Sequence, residues 1–277
     1  MYQIGVMQGR LSPRDGDKIQ SFPVSTWREE FPLAVEIGYQ SLEWVLDYDT
    51  ATVNPLLTSE GRMEIRELSR RCGLAVPAVC CDYFMEVPFL SNEQPVRLQA
   101  LGMLAELIRV CPEVGVRQIE LPLIGKSSVQ EPEVMQQMAA LLNDMGKFAL
   151  SQGVELILES DLPPAGVASF LDLLQVDGAL GVNYDLGNSA YWSFDAREEI
   201  ETYGRRISNV HIKDCTPEDY SVPLGQGNVD FGLSFSLLRK QGYAGDFILQ
   251  AARGEDDLAL AREYFQFTMR WVQEVFS

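Results

Sequence analysis

The chain has 277 residues, 46% of them apolar and 22% charged, an ordinary globular composition with room for one large core. Forty acidic against 22 basic residues give a formal net charge of −18, which repels phosphate backbones and anionic lipid and so argues against nucleic-acid and membrane partners. No apolar run approaches the ~18 residues of a membrane span. The start "MYQIGVMQGR" lacks the basic-then-apolar order of a signal peptide. Five cysteines without a CxxC pair read as reduced thiols, and hence as a cytoplasmic protein.

Taken in chain order, short apolar runs alternate with stretches of helical period. Strands are expected at 2–8, 40–45, 75–80, 117–122, 154–159, 180–185, 208–213 and 246–251. Helices are expected near 27–37, 59–72, 93–112, 131–152, 165–175, 195–206, 232–241 and 255–275. Gly38, Gly73, Gly115, Gly153 and Gly242 stand where helices should stop. Strict alternation implies a parallel sheet with helical crossovers, and eight repeats in a chain of this length imply an α/β fold of one domain, 1–277, a single (β/α)8 TIM barrel.

In such a barrel the chemistry sits at the C-terminal ends of the strands. The fifth strand ends in Glu159, the sixth in Asp185 and the eighth in Gln250, and the seventh carries His211, the only histidine of the chain. Alternation along each strand turns Asn183 and Asp185 inward on the sixth, Asn209, His211 and Lys213 on the seventh, and Ile248 and Gln250 on the eighth. Two carboxylates, an imidazole and an amide oxygen suit one divalent ion such as Mn, Mg, Co or Zn. The plainer alternative is a set of independent polar residues at a wet barrel mouth.

The ordered pieces "IGVMQGRLSP", "SLEW", "LILES", "NYDLGNSA", "NVHIKDC" and "VPLGQGNVDF" resemble the sugar isomerase/epimerase family with the xylose isomerase-like barrel. The family also holds inosose dehydratases and DNA-repair endonucleases. The resemblance implies metal ligands at Glu159, Asp185 and His211, and a fourth at Gln250, where the family has a glutamate. It implies proton removal next to a carbonyl through a metal-bound enediolate, with Glu159 as the base. A glutamine cannot hold a proton near neutral pH, so one-base isomerisation fits better than two-base epimerisation. Asn188 stands where the ketose epimerases carry a substrate-binding histidine.

Further substrate-binding candidates are Gln8, Arg10, Glu43, Asp82, Glu120, Lys213 and Arg253, with Lys213 also able to steady an enediolate or donate a proton. Tyr191, Trp192 and Phe84 are candidate apolar walls. The "LGQGN" loop at 224–228 lacks the lysine and helix of a P-loop and reads as a turn. The expected partner is a sugar or sugar phosphate; homo-oligomerisation stays open. A keto-sugar or inosose dehydratase, an epimerase and a catalytically lapsed sugar-binding barrel are the competing readings. A repair endonuclease, which needs many histidines and a basic face, is disfavoured.

Overall fold

The structure is a computed structural model that describes residues 2–16 and 18–276. β1 (Ile4–Met7) leads to α1 (Glu30–Ile37), β2 (Ser41–Val45) to α2 (Ser59–Cys72), and β3 (Ala78–Cys80) to α3 (Tyr83–Glu86) and α4 (Gln94–Val110). β4 (Gln118–Leu123) leads to α5 (Pro132–Ser151), β5 (Glu155–Ser160) to α6 (Pro164–Asp172), and β6 (Leu180–Asp185) to α7 (Leu186–Tyr191) and α8 (Ala196–Tyr203). β7 (Ile207–Ile212) leads to α9 (Phe231–Gln241), and β8 (Asp246–Leu249) to α10 (Asp257–Phe276). The strands close in sequence order into a parallel barrel, the (β/α)8 architecture expected from the alternation. The chain divides into two compact units, one made of Met1–Glu43 with Val182–Ser277 and the other of Trp44–Gly181.

In the first unit, β1 pairs with β2 through Gly5↔Ser41 and Met7↔Glu43, and with β8 through Gly5↔Ile248. β6 pairs with β7 through Asn183↔Asn209 and Asp185↔His211, and β7 with β8 through His211↔Ile248. A Cβ on Gly5 would meet the Ser41 hydroxyl and the Ile248 side chain, so these three share the inner face. The outer face is aromatic: Phe247 of β8 stacks on Phe235 of α9 with centroids 4.9 Å apart, an arrangement worth ~1 kcal/mol beyond its buried area. α9 starts at Asp230, whose carboxylate accepts from the Leu233 N–H, and stops at Gly242, whose φ of 79° favours glycine.

In the second unit, β4 and β5 form a six-residue ladder from Gln118↔Glu155 to Leu123↔Ser160. α2 is capped by Thr58, whose hydroxyl accepts from the Gly61 N–H. Trp44 is fully buried and donates its indole N–H to Asn54 Oδ1 at 3.0 Å, so it packs under the following segment as a core residue.

Some boundaries differ from the expected ones for identifiable reasons. β3 starts at Ala78 rather than 75, because Pro77 has no N–H to give a ladder, although its carbonyl accepts from Arg117 and Gln118. Strand β8 ends at Leu249, with the Gln250 N–H still donating to Ile212 O. The short α7 follows β6 without a loop, and the one-turn α3 follows β3 after Cys81 and Asp82 alone. Asp185 ends β6 and at once caps α7 by accepting from the Asn188 N–H, which leaves no turn residues for periodicity to find. No helix among the described residues is long and apolar enough to cross a membrane.

Candidate active site

The inner face of β2, β6 and β7 carries a closed ring of buried polar side chains. Asn209 Nδ2 donates to Glu43 Oε1 at 3.2 Å and to Asn183 Oδ1 at 3.0 Å. Asn183 Nδ2 lies 3.1 Å from His211 Nδ1, and His211 Nε2 lies 2.8 Å from Glu43 Oε2. The carboxylate fixes the protons around the ring. Glu43 only accepts, so Asn209 presents its NH2 to it, Asn183 presents its oxygen to Asn209, and its NH2 therefore faces Nδ1. His211 then keeps its proton on Nε2 and accepts from Asn183 through Nδ1, so the imidazole is neutral and a ligand bond at Nδ1 would replace the Asn183 hydrogen bond. Glu43 and His211 are both fully buried.

Beyond His211 along the chain, Lys213 is 4% exposed and held on three sides. Its ammonium donates to Asn188 Oδ1 at 2.9 Å, lies over the Tyr220 ring at 3.4 Å and stands 3.7 Å from Asp185 Oδ2. Tyr191 meets Tyr220 edge-on. Gly187 makes room for the lysine stem: a Cβ there would lie 2.6 Å from Lys213 Cγ. The position where ketose epimerases place a histidine is thus an asparagine that orients a lysine. Asp185 uses Oδ1 to cap α7, while its buried Oδ2 has no hydrogen-bond partner.

At the ends of β8 and β1, polar groups serve the loops. Arg10 donates through Nε to Ala251 O at 3.1 Å, through Nη1 to Ile19 O at 2.7 Å and through Nη2 to Gln20 Oε1 at 3.3 Å. Arg253 pairs with Asp257 at 2.7 Å and donates to Ser12 O. Gln250 donates through Nε2 to Gln20 Oε1 at 3.1 Å, and its buried Oε1 has no hydrogen-bond partner. Gln8 is fully buried, and its N–H donates to Glu43 O.

Under this loop lies Glu30, fully buried, whose carboxylate accepts from the Gly9 N–H at 2.9 Å and the Leu11 N–H at 3.1 Å. Burial pushes its carboxyl up to about 7, against the opposing pull of those hydrogen bonds. Sequence reasoning missed Glu30, because its position in α1 reads only as an acidic first-turn residue.

The second unit contributes its own strand ends. Glu159 closes β5 and is 7% exposed; Glu120 is buried on β4, and Cys80 Sγ lies 3.5 Å from both Glu120 Oε1 and Asp82 Oδ1. Phe84 stacks on Phe89 in the core of this unit.

The donor chemistry fits a divalent cation. Asp185 Oδ2, which has the Lys213 ammonium at 3.7 Å but no hydrogen bond, and Gln250 Oε1 are buried acceptors with room for a further ligand, a state that a divalent cation would relieve. The Gln250 amide is turned the right way, with nitrogen on Gln20 and oxygen left over.

Curated and solved relatives bear on this geometry. The chain is 26% identical over 262 residues to L-ribulose-5-phosphate 3-epimerase UlaE of Escherichia coli (strain SMS-3-5 / SECEC), covering 88% of this chain and 90% of that protein. Among solved structures, an L-ribulose 3-epimerase superposes with a TM-score of 0.79 at 18% identity, covering 99% of this chain and 96% of the other. The IOLI protein with a bound zinc atom superposes with a TM-score of 0.77 at 17% identity, covering 99% of both. At these identities the superpositions speak for the fold. With residues 31–272 matching the family described as xylose isomerase-like TIM barrel, the chain belongs to that family, the sugar isomerases and epimerases foreseen from its motifs.

Proposed function

We propose that the chain is a divalent-metal-dependent sugar isomerase or epimerase that removes a proton next to a carbonyl, with Glu159 as the base. The observation that carries the reading lies in the first unit: Asp185 and His211 are buried and paired in register, and Asp185 Oδ2 has no hydrogen bond, while Glu159, buried at the end of β5, is the third ligand expected from the motifs. The orphaned oxygen of Gln250 is the natural fourth donor. A bound divalent ion would supply Lewis-acid polarisation of the substrate carbonyl. Glu43 holds the Nε2 proton of His211 and so fixes the neutral tautomer, whose Nδ1 lone pair would pass from the Asn183 amide to the ion. Lys213 offers a fixed positive charge to a developing alkoxide oxygen. Glu159 takes the proton from carbon and returns it to the neighbouring carbon.

Gln250 cannot act as a second base. That favours one-base isomerisation. The names of the curated relatives favour a second reading, epimerisation at C3; there Lys213 would have to return the proton on the opposite face. The substrate class is a ketose or its phosphate, by the names of the relatives. A reducing compartment, the cytoplasm, is supported by five free cysteines.

The test is solvent-deuterium exchange into a panel of ketoses, followed by NMR, with and without added Mn²⁺, Co²⁺, Mg²⁺ or Zn²⁺. Metal-dependent exchange that drops about a thousandfold in Glu159→Gln is expected. Exchange that survives in this variant removes Glu159 as the base, and failure of all four ions to bind removes the metal.

A further inference from the structure

The positions that could hold a phosphate at the β7, β8 and β1 ends are already filled by carboxylates of the chain. In TIM barrels a phosphate is commonly held by the loops after the seventh and eighth strands and by a helix N-terminus there. Backbone N–H groups of glycine-rich turns and helix starts are the usual donors.

Here the loop after β7 folds around Asp214, which is fully buried. Its Oδ2 accepts from the Gly225 N–H at 2.8 Å and the Gly227 N–H at 2.9 Å. Its Oδ1 accepts from Cys215 at 3.0 Å and Val229 at 3.2 Å. The glycine loop "LGQGN" is therefore an anion nest, and its anion is internal.

The same holds after β8 and β1. The N-terminus of α10 is capped by its own acids: Asp257 Oδ1 accepts from the Gly254 N–H and Asp256 Oδ1 from the Ala259 N–H, each at 3.0 Å. Asp257 Oδ2 also takes the guanidinium of Arg253. The backbone donors of the turn after β1, Gly9 and Leu11, go to Glu30. Arg10 is spread over two carbonyls and the Gln20 amide, and Lys213 is committed to Asn188 and Tyr220 beside Asp185.

We propose that the substrate is an uncharged sugar or polyol-derived ketone rather than a phosphate ester. The proposal rests on the reading of the site as a carbonyl-enolising one and narrows its substrate class. A phosphate carries about −1.5 to −2 charges. It would have to evict a buried carboxylate from its N–H donors, or sit beside Asp214, Asp257 and Glu30 in a protein of net charge −18. A neutral polyol meets no such cost, because it needs neither a nest of backbone N–H donors nor an uncommitted cation. The comparisons straddle this choice, since one relative is named for a sugar phosphate and another for the free sugar.

The experiment pairs each free ketopentose and ketohexose with its terminal phosphate ester in the metal-supplemented deuterium-exchange assay. In parallel, melting temperature is followed against inorganic phosphate and against the sugar phosphates. The free sugar should exceed its ester by about a hundredfold or more in kcat/KM, and no phosphate compound should stabilise the protein. A phosphate ester turned over as fast as the free sugar overturns the inference, as does saturable stabilisation or competitive inhibition by inorganic phosphate. If neither sugar form exchanges, the enolising function fails by itself. The melting curves still decide whether the β7, β8 and β1 ends hold a phosphate: stabilisation by a sugar phosphate refutes the exclusion, and its absence upholds it.

Discussion

Two ends of the same unit use the same residue types for different work. At the β6–β7 end, charged and amide side chains form a ring around His211 and a cradle for Lys213, and Asp185 keeps one buried oxygen without a hydrogen bond, the Lys213 ammonium standing 3.7 Å away. At the β8–β1 end, Arg10, Arg253 and Glu30 are tied to backbone groups and to Asp257, and the Gln250 oxygen is left over. A charged residue at a strand end is thus not a functional residue by position alone. What separates the two ends is where the polar atoms go. Groups spent on carbonyls and loop N–H donors build the mouth; oxygens left dry at its rim await a ligand.

This contrast can be broken by experiment. The largest effect belongs to the unspent oxygen. Asp185→Asn should lower metal-dependent exchange by about a thousandfold and weaken divalent-ion binding in calorimetry, with the fold intact by circular dichroism. Unchanged ion affinity would deny Asp185 any role beyond capping α7.

At the other end the effects should be on stability. Glu30 has a folded pKa of about 7 against 4.5 for the free group, so the fold holds its proton more tightly than the unfolded chain does. Its contribution is full below pH 4.5 and is lost as the pH rises through about 7, a change on the order of 3 kcal/mol. Urea melts across this window should show that slope in the wild type and not in Glu30→Gln. Arg10→Ala should cost about 2–3 kcal/mol by leaving Ala251 and Ile19 carbonyls without their donor, while ion affinity stays the same. A loss of ion binding in Arg10→Ala would erase the distinction between the two ends.

Smaller effects test the margins. Glu43→Gln should weaken ion binding about 10- to 100-fold and lower the melting temperature by several degrees, because an amide must set its NH2 against either the Asn209 or the His211 donor. Gln250→Glu should strengthen ion binding by about tenfold, because a carboxylate replaces an amide oxygen as donor. If that variant also gains epimerisation at C3, the amide is what withholds the second base.

Much of the fold was legible in the chain. Alternating strand and helix periods gave the barrel, and the glycine stops held because a left-handed residue costs least without a side chain. Strand parity put Asp185 and His211 on one face, where the register pairs them. Parity also turned Asn183 and Asn209 inward, but nothing local assigns them to His211, since their partners lie 28 and 26 residues away. Asp214 was invisible as an anchor: it sits next to the "HIK" run, and two of its donors lie 11 and 13 residues further on. Glu199 was likewise unread. It is buried against Tyr184, Ser189 and Tyr203, with burial raising its carboxyl above the usual range.

The sequence by itself determined the alternation, the strand ends and the face on which each side chain falls, because these depend on local period and on the chirality of the backbone. Only the tertiary structure decided which polar atoms are spent and which remain. Hydrogen-bond partners are set by approach in space, and a carboxylate that anchors a loop has the same letter as one that waits for a ligand.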